Sequence, residues 1–92
     1  MKINIFELTG SFAENKDIAR DIRLNTINPA LKQGEEIILD FVNVQSMTQS
    51  FCHALISEVF RQFGMDVLDR ISFANCQSEV KGVIEIVVEY MQ

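Results

Sequence analysis

The amino-acid sequence predicts an α/β fold in one compact domain, with a small, mostly parallel sheet packed against helices. Short apolar runs typical of strands alternate with longer segments whose apolar residues recur at helical spacing, which gives the order βαβαβα. The run at residues 37–39 is apolar on both faces, as expected of a central parallel strand that helices cover. Because no low-complexity linker interrupts the 92 residues, we expect residues 1–92 to form a single domain. Its parallel strands should be connected by right-handed crossovers.

The first strand and the first helix are predicted before residue 28. Residues 2–8 read as a mostly buried strand, with Ile3 and Ile5 on one face and Phe6 and Leu8 on the other, and the strand ends at the Thr-Gly-Ser sequence after it. Asn15 is a candidate N-cap of the helix that follows. Ser11 with Glu14 also fits a capping box, which would start this helix earlier.

Pro29 is expected to interrupt that helix. A proline lacks the backbone N–H and disfavours helical geometry in the residue before it. We therefore expect a kink or a restart, with Asn28 as the new cap and Pro29 in the first helical position. Gly34 then ends the helix, and residues 36–41 form the central strand.

The second half of the chain predicts two more helices around a third strand. A helix from about Thr48 to Phe63 has a broad apolar face, and its polar side carries Gln49, His53, Ser57 and Arg61. Residues 69–75 read as a strand. The last segment, after Ser78 as a cap, alternates like a strand but matches the helical template at more positions, so a helix is predicted.

Composition and charge narrow the class of protein. Hydrophobic residues make up 48% and charged residues 23%, a balance that indicates a folded domain. The net charge of −5 and the lack of a basic stripe argue against nucleic-acid binding and suit a basic protein partner. No apolar run approaches the roughly 20 residues that span a bilayer, and the N-terminus lacks a signal-peptide pattern. The cytoplasm is therefore the expected compartment, with Cys52 and Cys76 as reduced thiols.

The residues that could support catalysis are not suitably arranged. Cys52 and His53 are neighbours on a helix and point about 100° apart, so they cannot form a nucleophile and its base. One His and two distant Cys do not make a metal site, and Asp40 has no second acid at a catalytic spacing. Asp40 is instead expected to fix the loop that follows its strand. We predict a protein that is not an enzyme and has no metal or cofactor.

The segment LDFVNVQSMTQSF, residues 39–51, resembles the STAS domains, which are named for sulfate transporters and anti-sigma factor antagonists. The similarity is closer to STAS-like domains that have no assigned function. These occur as small bacterial proteins or as fusions, often with ATP-binding, kinase-like partners. The resemblance extends over nearly the whole chain and is carried also by GSFAEN, DIARDIR, INPALKQGEEIILDF, TQSF and ISFANC. It implies a STAS-like fold and a regulatory function in protein–protein interaction.

The resemblance also assigns roles to single positions. In STAS domains a strand ends in Leu-Asp-Leu, which corresponds here to residues 39–41, and Asp-Ser-Ser-Gly opens the next helix. In anti-sigma factor antagonists a partner kinase phosphorylates the first serine of that motif, which breaks the complex. That serine corresponds to Gln49, the acid to Thr48, the second serine to Ser50 and the glycine to Phe51. Because Gln49 cannot be phosphorylated, a phospho-switch is either missing or moved to Thr48 or Ser50.

The turn from strand to helix is the predicted functional surface. The Thr48 hydroxyl is expected to cap the helix. This does not exclude a binding role, because ligands in open α/β folds also dock at capped helix starts along the carboxyl edge of the sheet. The expected partner is an ATP-binding or kinase-like protein, bound through Ser46, Gln49, Ser50, His53 and Ser57.

Two other functions remain open from the sequence. One is a small-molecule or nucleotide-sensing domain with its pocket beside Asp40 and Asn43, although the four glycines are isolated and form no phosphate-binding loop. The other is an acidic inhibitor protein, which would bind a strongly basic target in a salt-sensitive way.

Overall fold

The computed structural model describes residues 1–91, which contain five short strands and four helices. In chain order the elements are β1 (Lys2–Asn4), α1 (Ile5–Thr9), β2 (Phe12–Ala13), α2 (the contiguous segments Lys16–Ile22, Arg23–Ile27 and Asn28–Lys32), β3 (Ile37–Asp40), β4 (Ser46–Met47), α3 (the contiguous segments Gln49–Cys52, His53–Ser57 and Glu58–Phe63), a 3-10 turn (Met65–Asp69), β5 (Ile71–Ala74) and α4 (Ser78–Met91).

Strands β1, β3 and β5 form a parallel sheet with β3 in the centre. In its register, Leu39 of β3 lies between Ile3 of β1 and Phe73 of β5. Strands β2 and β4 pair separately, also in parallel, with Ala13 opposite Met47. The predicted α/β fold and the central position of β3 are therefore confirmed, and the two-stranded pair is an addition that the sequence did not predict.

The two faces of the three-stranded sheet differ in burial. Ile3 and Leu39 lie on the face that packs into the core, and both are buried. On the other face Ile38 lies between Lys2 and Ser72, which are both exposed, and Ile38 itself is 40% exposed. The prediction that helices cover both faces of the central strand is therefore wrong at Ile38.

The first strand is shorter than predicted, because residues 5–9 form α1 instead of continuing the strand. The Asn4 side chain accepts a hydrogen bond from the Glu7 N–H at 3.1 Å, which caps this short helix. Gly10, with φ of +78°, ends it and donates its N–H to the Phe6 carbonyl at 2.8 Å. Only Ile5 of α1 is buried, so a local cap outweighs the alternating pattern here.

Helix α2 starts where the first of the two predicted caps placed it. Asn15 Oδ1 accepts from the N–H groups of Asp17 and Ile18, at 2.9 and 3.3 Å. The earlier start through a capping box is not adopted. At its other end Gly34 has φ of +84° and donates to the Leu31 carbonyl, as predicted for a helix that ends at this glycine.

The predicted restart with Asn28 as the cap of a new helix is wrong, although an α-helical segment, Asn28–Lys32, does have Pro29 in its first turn. Asn28 has helical dihedral angles and is buried rather than acting as a cap, and its N–H donates to the Arg23 carbonyl five residues back. This bond belongs to a π-helical turn over Arg23–Ile27. A proline ring clashes with the carbonyl four residues back in a regular α-helix, and the widened turn gives the ring room.

The last two elements agree largely with the prediction. The final segment is a helix, α4, and its residues Val80, Ile84 and Val87 are buried against the core. The third strand covers residues 71–74 of the predicted 69–75, and a 3-10 turn precedes it. None of the helices in residues 1–91 combines the length and apolar character that crossing a lipid bilayer requires.

Candidate functional site

The strand-to-helix connection is held in place by Asp40, at the carboxyl end of β3. Its Oδ1 accepts hydrogen bonds from the Val42 N–H and from Asn75 Nδ2, both at 3.0 Å, and its Oδ2 lies 3.2 Å from Lys2 Nζ. The hydrogen bond from Asn75, then that from Val42, lower the pKa of this nearly buried carboxyl group. Asp40 thus fixes the following loop, as predicted.

The rest of the connection is anchored to the segment around β2. The Ser11 carbonyl accepts from the N–H of Gln45 at 2.8 Å, and the Ala13 carbonyl accepts from the N–H of Thr48 at 3.0 Å. Asn43 turns the chain with φ of +67°, a conformation that asparagine tolerates better than most residues. These contacts fix the backbone conformation of the turn before α3.

Thr48 caps α3. Its Oγ1 accepts a hydrogen bond from the Phe51 N–H at 3.1 Å, and its carbonyl accepts from the Cys52 N–H at 3.2 Å. The predicted cap is therefore confirmed, and the threonine hydroxyl is already engaged as an acceptor. The Phe51 ring is fully buried and holds the first turn of the helix to the core.

The first turn of α3 presents polar side chains to solvent. Gln49 and Ser50 are exposed, and Ser46 and Thr48 are half-buried. The next two residues, Phe51 and Cys52, are buried. We call residues 46–50 the docking junction. The structure thus leaves the predicted polar turn uncovered on the side of Gln49 and Ser50.

Helix α4 lies along the other side of this turn. The His53 ring is half-buried and meets the Tyr90 ring edge-on, with centroids 5.7 Å apart and planes at 90°. His53 therefore borders the docking junction but is partly covered by the domain itself. Sequence periodicity did not predict this neighbour, because nothing in the spacing of α4 indicates which helix it packs against.

Ser57 is not part of the exposed ridge on which the sequence placed it. The residue is only 6% exposed, and its Oγ donates to the His53 carbonyl at 2.7 Å. It lies in a π-helical turn, His53–Ser57, and the Arg23 guanidinium donates to the Ala54 carbonyl in the same turn at 2.7 Å. The wider turn shifts the helical phase after His53, so the 3.6-residue period no longer predicts which side chains face solvent.

The two cysteines have different surroundings. Cys52 is a buried core residue, as predicted, and burial raises the pKa of its thiol to about 12. Cys76 is half-buried, and burial also raises the pKa of this thiol. Among residues 1–91, no three or more His, Cys, Asp or Glu side chains come together as a group that could hold a metal ion.

A wide, solvent-open cavity of about 650 Å³ adjoins the docking junction. It lies between the chain before β4 and the start of α4, and most of the side chains around it are polar. Its lining consists of Gln45, Ser46, Cys76, Gln77, Ser78 and Glu79. Neither Asp40 nor Asn43, beside which a ligand pocket was considered from the sequence, belongs to that lining.

Comparison with known proteins gives a family but no close relative. A family model described as a STAS-like domain of unknown function (DUF4325) matches residues 19–81, which run from α2 to the first turn of α4 and include the docking junction. No curated protein and no solved structure gives a significant match. On the family match and the parallel α/β fold, the chain belongs to the family of STAS-like domains of unknown function.

Proposed function

We propose that this domain is a cytoplasmic, non-enzymatic regulatory module that binds a protein partner through the docking junction. The partner is an ATP-binding or kinase-like protein, as the resemblance to anti-sigma factor antagonists implies. Because Ser57 is buried, the proposed contacting residues are Ser46, Gln49, Ser50 and His53.

The proposal is carried by the position of Gln49 and Ser50. Both are exposed, while Phe51, the next residue, is fully buried and Thr48 caps the same turn. A polar edge fixed in this way loses little conformational freedom when a partner binds, and a preorganised surface binds more tightly for that reason.

Ser50 is the hydroxyl best suited to a phospho-switch. It is exposed, whereas the Thr48 hydroxyl accepts the Phe51 N–H and is half-buried. A phosphate adds about −1.5 to −2 charges. The helix N-terminus favours a negative charge there by about 0.3–1 kcal/mol, so α3 tolerates it, while an acidic or apolar partner surface would not. Phosphorylation of Ser50 would therefore release a partner whose surface opposite Ser50 is apolar or acidic, even where a neighbouring part of that partner is basic.

Intact-mass measurement after incubation with the partner protein and ATP tests this switch. Wild type should gain one phosphate, which peptide fragmentation places on Ser50, and Ser50→Ala should gain none. Phosphate on wild type that persists in Ser50→Ala, or no phosphate at all, would rule out Ser50 as the switch.

Co-purification tests the docking itself. We expect the domain to co-purify with an ATP-binding protein encoded beside it, and we expect Gln49→Glu to weaken that association. Gln33→Glu, an identical change at an exposed position at the end of α2, is the matched control and should leave it unchanged. Equal recovery with both variants would show that the docking junction is not the contact.

A second candidate function, small-molecule or nucleotide sensing, is favoured by the polar cavity beside Ser46. A ligand at a hundredfold excess over its Kd stabilises the domain by about 2.7 kcal/mol. A thermal-shift screen with nucleotides should reveal such a ligand, and Ser46→Phe, which adds a bulky ring to the lining of the cavity, should reduce its effect. No shift with any nucleotide would count against nucleotide sensing.

A further inference from the structure

The outer flank of α4 carries an apolar stripe that the fold buries only at one end, where Val83 packs against the edge of the core. Ile86 is 50% exposed and Tyr90 is 77% exposed, while Val83 is half-buried. These residues are three and four apart, so they lie along one side of the helix. The opposite side of α4 packs into the core, so burial of this stripe is not needed to hold the helix in place.

This stripe adjoins the docking junction. Tyr90 contacts His53, four residues after Gln49 in α3. The exposed surface of the first turn of α3 therefore continues onto α4, and a partner large enough to cover Gln49 and Ser50 would also reach Tyr90.

Two carboxylates adjoin the stripe. Glu79 lies four residues before Val83 and Glu89 three residues after Ile86, so both are neighbours of the stripe on the helix surface, and both are exposed. Within residues 1–91 the ion pairs are Lys2 with Asp40 and Arg61 with Glu58, so neither glutamate has a cation of its own. The stripe is apolar with a negative border.

We propose that the stripe Val83–Ile86–Tyr90 binds a basic amphipathic helix of the protein partner, with apolar anchors on the stripe and Lys or Arg opposite Glu79 and Glu89. The inference rests on the proposed function, because it extends the docking junction into a larger surface. Apolar anchors supply most of the affinity, and the charge border orients the helix and selects a basic one.

A pair of designed peptides tests this proposal without the natural partner. One is a helix-forming peptide with Leu at helical spacing and Lys elsewhere, and the other has Glu in place of every Lys. Fluorescence anisotropy with the whole domain should show binding of the Leu/Lys peptide only. Tyr90→Ala and Ile86→Ser should each weaken that binding at least about fivefold, the loss typical of truncating an anchoring residue.

Leu24→Ser is the matched control, because Leu24 is a similarly exposed apolar residue on α2. It should leave the affinity unchanged. The double variant Glu79→Gln, Glu89→Gln should weaken binding and reduce its dependence on salt. Circular dichroism of each variant establishes that the fold is kept. No binding, equal binding of both peptides, or an equal loss with Leu24→Ser would overturn the proposal.

Co-purification with the natural partner separates this inference from the proposed function. If Gln49→Glu weakens the association and Ile86→Ser does not, the docking junction stands and the stripe is rejected. If neither variant weakens an association that does form, the proposed function fails as well.

Discussion

The cap at Thr48 is the structural feature on which the docking junction depends, and its removal has a calculable effect. Thr48→Val keeps the β-branched shape but removes the oxygen that accepts the Phe51 N–H at 3.1 Å. That backbone group is then left without its partner at a half-buried position, and loss of such a cap costs about 1 kcal/mol, within a range of roughly 0.5–2. For a domain of this size, 1 kcal/mol lowers Tm by about 4–8 °C.

Thermal and urea unfolding of three variants measure this cost. Thr48→Val should lose stability as calculated, Thr48→Ser should keep nearly all of it because serine also caps, and Ser50→Ala should change it little because Ser50 is exposed and makes no cap. The slope of the urea transition should not change, since the surface exposed on unfolding is the same. A Thr48→Val variant as stable as wild type would refute the cap and the fixed geometry of the docking junction.

Three further predictions concern the support of the same site. In urea unfolding, Phe51→Ala should lower the free energy of unfolding by about 3–5 kcal/mol, because the ring is fully buried. Gln49→Ala, at an exposed position nearby, should change that free energy little. The folded-state pKa of Asp40 is lowered, so its contribution to stability is present above its ordinary pKa of 3.8 and is lost as the pH falls through the folded value. The stability difference between wild type and Asp40→Asn should therefore disappear in acid. Alkylation at pH 8 should label Cys76 in the folded protein and Cys52 only after unfolding, because Cys52 is buried and its thiol has a pKa of about 12. Mass spectrometry measures the alkylation rate of each cysteine, and equal rates in the folded protein would contradict the burial of Cys52.

The parts of the fold predicted correctly from the sequence are those determined by a local signal. Asn15 and Thr48 cap their helices because a side-chain oxygen reaches the first free N–H groups, and Gly34 ends α2 because glycine tolerates a positive φ. The final helix was predicted correctly because its apolar residues match helical spacing at more positions than strand alternation.

The errors have specific physical causes. Residues 2–8 were predicted as one strand, but the Asn4 side chain caps a helix over residues 5–9, so a short-range hydrogen bond outweighed the strand pattern. Asn28 was expected to cap a new helix, but a π-helical turn accommodates Pro29 without a break. A second π-helical turn buried Ser57, since one extra residue per turn changes the phase of everything after it.

The candidate site was predictable only in part. The sequence located the docking junction, because a strand end, a polar loop and a capped helix follow one another there. It did not indicate that Tyr90 packs on His53, or that Ser46 borders a cavity with Gln77, since both depend on the packing of α4 beside α3 and β4. The spacing of apolar and polar residues within one segment does not indicate such contacts between distant segments.

Hydrogen–deuterium exchange on the complex with the proposed ATP-binding partner tests the central claim most directly, because it finds the contact without assuming its place. Binding through the first turn of α3 predicts slower exchange in the peptide that covers residues 48–53 and no change in residues 28–32 at the end of α2. Protection confined to the open face of the sheet around Ile38, with residues 48–53 unchanged, would contradict it.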